Sequence, residues 1–132
     1  MPGNTLRIAH SADIHIGVET YGRIDGSTGL PSRVADFLAC FDRMVDVCIE
    51  ENVDAFLFAG DAFRVNTPNP TYVREFAKRI LRLTEAGIPS LLLVGNHDAP
   101  GIAGRASPIE LFSVFSTPLV HAATKVEPHV LQ

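Results

Sequence analysis

Apolar residues along this chain follow two rhythms that take turns. Leu6 to Ala9, Asp54-Ala55-Phe56-Leu57-Phe58 and Leu91 to Val94 hold short apolar runs, too short for helices and suited to strands buried on both faces. Between the first two runs, Val34, Phe37, Leu38, Phe41, Met44, Val45 and Cys48 recur at spacings of three and four. Asp36, Asp42, Arg43, Asp46 and Glu50 fill the wet side of that predicted helix, with Ser32 as its cap and Asn52 as its end. A second helix is predicted from Pro70 to about Ala86, its inner face made by Val73, Phe76, Ala77, Ile80 and Leu83. Asn69 suits its cap, Pro70 its first position and Gly87 its stop. Beyond Pro100 the pattern weakens to a helical turn from Ile109 to Phe115 and a strand from Leu119 to Ala122.

The order strand, helix, strand, helix, strand predicts an α/β fold whose parallel strands are joined by right-handed crossovers, so that all carboxyl ends share one edge. Each run stops abruptly in polar residues: His10-Ser11-Ala12-Asp13-Ile14-His15 after the first, Gly60-Asp61 after the second, and Gly95-Asn96-His97-Asp98 after the third. Long loops, Gly17 to Ser32 and Ala62 to Asn69, lie beside the first two. Asp13, His15, Asp61, Asn96, His97 and Asp98 are therefore expected to converge where open α/β sheets build their sites.

With 132 residues and 46% hydrophobic content, the chain is expected to be a single globular domain or part of one. No apolar run approaches a membrane span, and Met-Pro-Gly-Asn-Thr lacks the basic and apolar regions of a signal peptide, which together place it in the cytoplasm. Cys40 and Cys48 fall on one predicted helix roughly 12 Å apart, too far for a disulfide, and read as buried reduced thiols. A net charge of −4 excludes nucleic-acid binding through general basicity. Contact with phosphates must be local, or made through bound cations.

Carboxylate, imidazole and amide oxygen without thiolate suit Mn²⁺, Fe or Zn²⁺ better than Ca²⁺. Asp61, on the central loop, is the natural bridge between two ions of the kind that hydrolyse phosphoesters. His97 beside the ligand candidate Asn96 suits proton donation to a leaving oxygen, and Asp98 suits a carboxylate that orients its ring.

Asp13-Ile-His15, Gly60-Asp61 and Gly95-Asn96-His97-Asp98 resemble the first three signature blocks of the calcineurin-like metallophosphoesterases. The run Asp13-Ile-His15-Ile-Gly17, the segment Thr28-Gly29 to Arg33 with Asp36-Phe37, and Gly60-Asp61-Ala-Phe63 followed by Thr67-Pro68-Asn69-Pro70 resemble the SbcD-type nuclease branch of double-strand-break repair. The resemblance implies two divalent ions, usually manganese. Asp13, His15 and Asp61 would hold one, Asp61 and Asn96 would begin the second, and His97 would serve as the transition-state histidine. It also implies DNA as substrate and an SMC-like coiled-coil ATPase as partner. Arg64 stands where some relatives carry histidine, and its guanidinium suits a phosphate contact. The later Gly-His-x-His block of the family finds no match in His121 or His129, so the chain reads as the front half of a catalytic domain, itself inactive.

Two other functions fit the same residues. One is a phosphatase or phosphodiesterase of small molecules or nucleotides; the other is a non-catalytic piece that self-associates into a homo-oligomer through an exposed sheet edge. Elsewhere the plainer readings are preferred. His10 is expected to pack at its strand end. Arg74, Lys78, Arg79 and Arg82 read as a solvated helix face with Glu75 and Arg79 paired, and the phenylalanines Phe37, Phe41, Phe56, Phe58 and Phe76 as core.

Overall fold

The computed structural model describes residues 3–19 and 22–131; Met1-Pro2 of the expected N-terminus and Thr20-Tyr21 of the first long loop lie outside them. Strand β1 (Ile8–Ser11) leads to helix α1 (Ser32–Glu50), β2 (Ala55–Phe58), α2 (Pro70–Glu85) and β3 (Ser90–Leu93). A single 3₁₀ turn, Pro108–Glu110, then opens the short helix α3 (Leu111–Val114), and β4 (Val120–Ala123) follows. The four strands form one sheet in the order β1-β2-β3-β4, every neighbouring pair parallel. The expected βαβαβ arrangement is present, with β4 added beside β3.

Helices α1 and α2 cover one face of the sheet. Val34, Leu38, Phe41 and Val45 from α1 and Phe76, Ile80 and Leu83 from α2 are buried with Phe56, Phe58 and Leu92 of the strands. Phe76 is the centre of this layer, its ring 5.6 Å from those of both Phe41 and Phe58. Each such side chain contributes about 1.5–3 kcal/mol through burial. The registers Leu57↔Leu91 and Ile8↔Ala55 put those residues on the opposite face, where Ile8 is 51% and Leu93 43% exposed. Parallel sheets are normally covered on both faces, so this one presents an apolar surface still open to a neighbour.

Several boundaries differ from the sequence pattern. β1 starts at Ile8 rather than Leu6 because the Arg7 amide donates to the Asp54 carboxylate at 2.7 Å, outside the sheet ladder. Ser32 is the first residue of α1 rather than its cap; Pro31 holds the cap position, and the Ser32 hydroxyl accepts from the Arg23 amide. His10 is exposed because its register with Leu57 turns it to the open face. Cys40 is likewise exposed while Cys48 is buried, and both are free thiols.

The start of α2 is as the sequence predicts, with the Asn69 side chain accepting from the Thr71 amide at 2.9 Å and Pro70 opening the helix. Asn69→Ala is expected to cost about 1 kcal/mol, read as a lower urea midpoint with unchanged slope. Two basic residues of α2, Arg79 and Arg82, reach α1. Arg79 pairs with Glu75 as expected and also with Asp42, while Arg82 reaches Asp42 and Asp46. Burial alone would push the Glu75 carboxyl up, but hydrogen bonds from Arg79, Lys78 and Arg74 outweigh it and hold the group below its ordinary value. Arg79 and Arg82 are thus committed to an interhelical network, while Arg74 and Lys78 pair with Glu75 of their own helix and stay largely exposed.

Candidate metal centre

The loops leaving β1 and β2 run side by side beyond the sheet. The amides of Asp13, His15 and Ile16 donate to the carbonyls of Gly60, Asp61 and Ala62 at 3.0, 3.1 and 2.9 Å, and the Arg64 amide returns a bond to Ile16 at 3.0 Å. Within this ladder Asp13, His15 and Asp61 all have left-handed backbones, with φ of 57°, 49° and 58°. Asp and His tolerate that region better than most residues, and such conformations gather where a site dictates the backbone. Gly60 and Gly95 bring the loop after β3 against this pair. A Cβ on Gly60 would stand 2.6 Å from the Gly95 Cα, and one on Gly95 only 2.2 Å from the Asp61 nitrogen.

Asp61 is the hub. It is buried, and its Oδ1 accepts from the His97 backbone amide at 2.8 Å while its Oδ2 lies 2.9 Å from His97 Nδ1. The Asn96 side-chain NH₂, in the orientation that satisfies its hydrogen bonding, donates to the same two oxygens at 3.0 and 3.2 Å. Burial works to raise the Asp61 carboxyl, yet the two bonds from His97 and the nearby imidazoles of His97 and His15 bring it net below its ordinary value. It therefore stays a carboxylate. His15 Nε2 lies 3.5 Å from Asp13 Oδ1 and 4.0 Å from Asp61 Oδ2, and the His15 and His97 rings meet edge to face at 4.8 Å.

Asp98 does something else. Its carboxylate is fully buried and accepts from the backbone amides of Ala62 at 3.2 Å, Phe63 at 3.1 Å and Gly95 at 3.1 Å. The sequence suggests Asp98 as the group that orients His97; in the structure that bond goes to Asp61, and Asp98 staples the β2 loop to the β3 loop. Sequence adjacency favoured Asp98, but the approach of two loops decides the matter.

The residues fit a divalent cation. The His15 ring makes no hydrogen bond among the described residues: its Nδ1 is buried without a partner, and its Nε2 stands 3.5 and 4.0 Å from the two carboxylates. Donors sharing one ion at about 2.0–2.2 Å stand roughly 3–4 Å from each other, and the separations of His15 Nε2 from Asp13 and from Asp61 lie in that range. His97 stands beside this set, a ring nitrogen of it within 4.8 Å of donor atoms of His15 and Asp61, but its Nδ1 is engaged by the Asp61 carboxylate. Turned end for end, the Asn96 amide would set its oxygen against the Asp61 carboxylate, an arrangement that a shared cation reconciles. Asp13, His15, Asp61, Asn96 and His97 thus converge as expected. The roles of Gly60 and Gly95 were not anticipated; the only signal was a glycine on the near side of each acidic block.

A parallel α/β sheet with oxygen and imidazole donors at its carboxyl edge is suited to holding a divalent cation. Residues 6–127 match the Calcineurin-like phosphoesterase family, and the chain belongs to it. Among its relatives are DNA double-strand break repair proteins Mre11. That of Saccharolobus solfataricus is 28% identical over 127 residues, covering 96% of this chain and 31% of the relative. That of Haloferax volcanii is 34% identical over 93 residues, covering 70% and 20%. The chain spans about a third or less of the length of these curated relatives. Among solved structures, the β-glucosidase BglU of Micrococcus antarcticus overlays at a TM-score of 0.44 with 19% identity, covering 72% of this chain and 24% of that one; the overlay is too slight to bear on fold or function. No described helix is long and apolar enough to cross a membrane.

Proposed function

We infer that these residues form part of the active centre of a Mn²⁺-dependent DNA exo- or endonuclease of double-strand-break repair. The observation that carries this reading is Asp61, a buried carboxylate shared by His97 and Asn96 and faced by His15. Similarity to proteins named for DNA double-strand break repair supports DNA as the substrate. Asp13, His15 and Asp61 would hold one ion, and Asp61 with Asn96 would begin the site of a second, with further donors supplied by later histidines of the catalytic domain. When bound, such ions act as Lewis acids on the phosphoryl oxygens and lower the pKa of the attacking water.

The chain's own contribution is order. Asp61 fixes the His97 ring plane through Nδ1, which leaves Nε2 for the leaving sugar oxygen, and the 41% exposure of this side chain lets a substrate reach it. Partners in this reading are DNA and a coiled-coil ATPase, and the open sheet face around Ile8 and Leu93 supports self-association. Light scattering on the chain should then show a dimer or larger species.

The test is turnover of linear duplex DNA and of a chromogenic phosphodiester by the whole protein in Mn²⁺. DNA cleavage is expected, and His97→Ala is expected to lower kcat by about 10²–10⁴ while calorimetric Mn²⁺ affinity changes little. Turnover of the small diester with no cutting of DNA would assign the site to small phosphoesters instead.

A further inference from the structure

The segment that presents Asp61 also presents a cation. Ala62 and Phe63 are fully buried, and Arg64 is the first residue to emerge into solvent. Its backbone is fixed by the bond to Ile16, and its Cβ lies 3.5 Å from where a Cβ on Gly17 would stand, in a recess of about 270 Å³ shared with Tyr72, Asn69 and Glu19. Gly17 has φ +115°, a backbone conformation that favours glycine, and a Cβ there would be in ordinary contact with the Tyr72 ring at 3.4 Å. Arg64 and Tyr72 thus line one recess beside Gly17, with Arg64 exposed to solvent.

Its guanidinium has no carboxylate partner among the described residues, whereas Arg7, Arg43, Arg74, Arg79 and Arg82 form ion pairs; Arg23, Arg33 and Arg105 are likewise unpaired, but of these four only Arg64 lies within three positions of Asp61. Glu19 shares the recess but is taken by the Tyr72 hydroxyl. Burial, and then the bond to Glu19, push the Tyr72 phenol up to about 12, so it remains a donor to that carboxylate. The fold satisfies Glu19 internally and leaves Arg64 free.

An uncommitted guanidinium is informative in this setting. The chain carries a net charge of −4, and the edge it presents holds the carboxylates of Asp13 and Asp61. A polyanion approaching that edge needs a local cation outside the metal centre. Arg64 lies three positions after Asp61, at most about 10 Å of backbone. A guanidinium there is within reach of a phosphate next to the one that ions at the metal centre would hold, and its planar fork matches phosphate oxygens in pairs.

We propose that Arg64 binds a phosphate adjacent to the scissile one, making the site one for polynucleotides over isolated phosphoesters. This rests on the nuclease reading above. The test is anisotropy of a fluorescently labelled DNA duplex bound by the whole protein in EDTA, at a series of salt concentrations, with cleavage in Mn²⁺ measured in parallel. Arg64→Ala should weaken binding about 5- to 20-fold and reduce the slope of log affinity against log salt by about one, the signature of a lost phosphate contact. Arg64→Lys should keep the slope and recover only part of the affinity. Arg7→Ala, at the opposite edge of the sheet, should match the wild type. If the wild type binds and cuts duplex while Arg64→Ala does so with unchanged affinity and slope, the role of Arg64 is refuted and the nuclease reading stands. If the wild type neither binds nor cuts DNA, both fall.

Discussion

Gly95→Ala, a change of one methyl group, is expected to dismantle the centre. The added Cβ would stand 2.2 Å from both the Asp61 nitrogen and its Oδ1, and 2.9 Å from its Cγ. None of these atoms can retreat cheaply. The Asp61 backbone is pinned by its carbonyl, which accepts from His15, and its side chain is pinned by His97 and Asn96. Relief requires moving the β3 loop away from the β2 loop by an ångström or more, which breaks the His97 and Asn96 bonds to Asp61 together. Overpacking of this kind costs about 1–3 kcal/mol, and the hydrogen bonds lost with it bring the expected destabilisation to about 2–4 kcal/mol. Mn²⁺ affinity should fall by about 100-fold because the hub carboxylate no longer faces His15. Gly101→Ala is the control, since its new Cβ would meet only the Asn66 amide nitrogen at 3.5 Å, and it should stay within about 0.5 kcal/mol of wild type. Urea unfolding and calorimetry read both quantities. A Gly95→Ala protein with wild-type midpoint and metal affinity would mean that the two loops are not packed as described.

This contact also marks where sequence reasoning ran out. The elements themselves were legible, because a buried strand must be apolar and the polar residues at its end must then belong to a loop. The Asn69-Pro70 start of α2 was readable for the same kind of local reason: both residues favour the backbone angles that a helix start needs. Ser32 misled because a serine before an apolar period resembles a cap, whereas the loop behind it recruits its hydroxyl for the Arg23 amide. The pattern also did not reveal that Glu75 is buried, since a carboxylate beside three basic residues of its own helix reads as part of a solvated face, and its burial depends on tertiary packing. The site residues were visible as chemistry at strand ends. Their division of labour was not, because it depends on which backbone amides approach which carboxylate across loops distant in sequence.

Asp98 is the sharpest case, and its substitution separates the two roles. If it acted by orienting His97, Asp98→Asn would leave the fold intact and shift the pH dependence of turnover. The structure gives it three backbone amides in a fully buried setting, and His97 is held by Asp61. Asp98→Ala would leave the amides of Ala62, Phe63 and Gly95 without acceptors in a dry interior. Each orphaned donor costs about 1–3 kcal/mol, and with partial relaxation the total is expected near 3–5 kcal/mol, a large share of the stability of a domain this size. Asp98→Asn keeps one acceptor oxygen but turns an NH₂ toward amides that also donate, so it should cost nearly as much. Both variants should lower the urea midpoint of the metal-free protein, where catalysis plays no part. They should also loosen the metal centre, because the amides they release belong to the segments carrying Asp61 and Asn96. An Asp98→Asn protein that unfolds like the wild type yet shows a displaced pH profile would return this carboxylate to the catalytic machinery. The expected loss of stability would instead establish Asp98 as the staple that lets two loops deliver Asp61 and His97 to the same point.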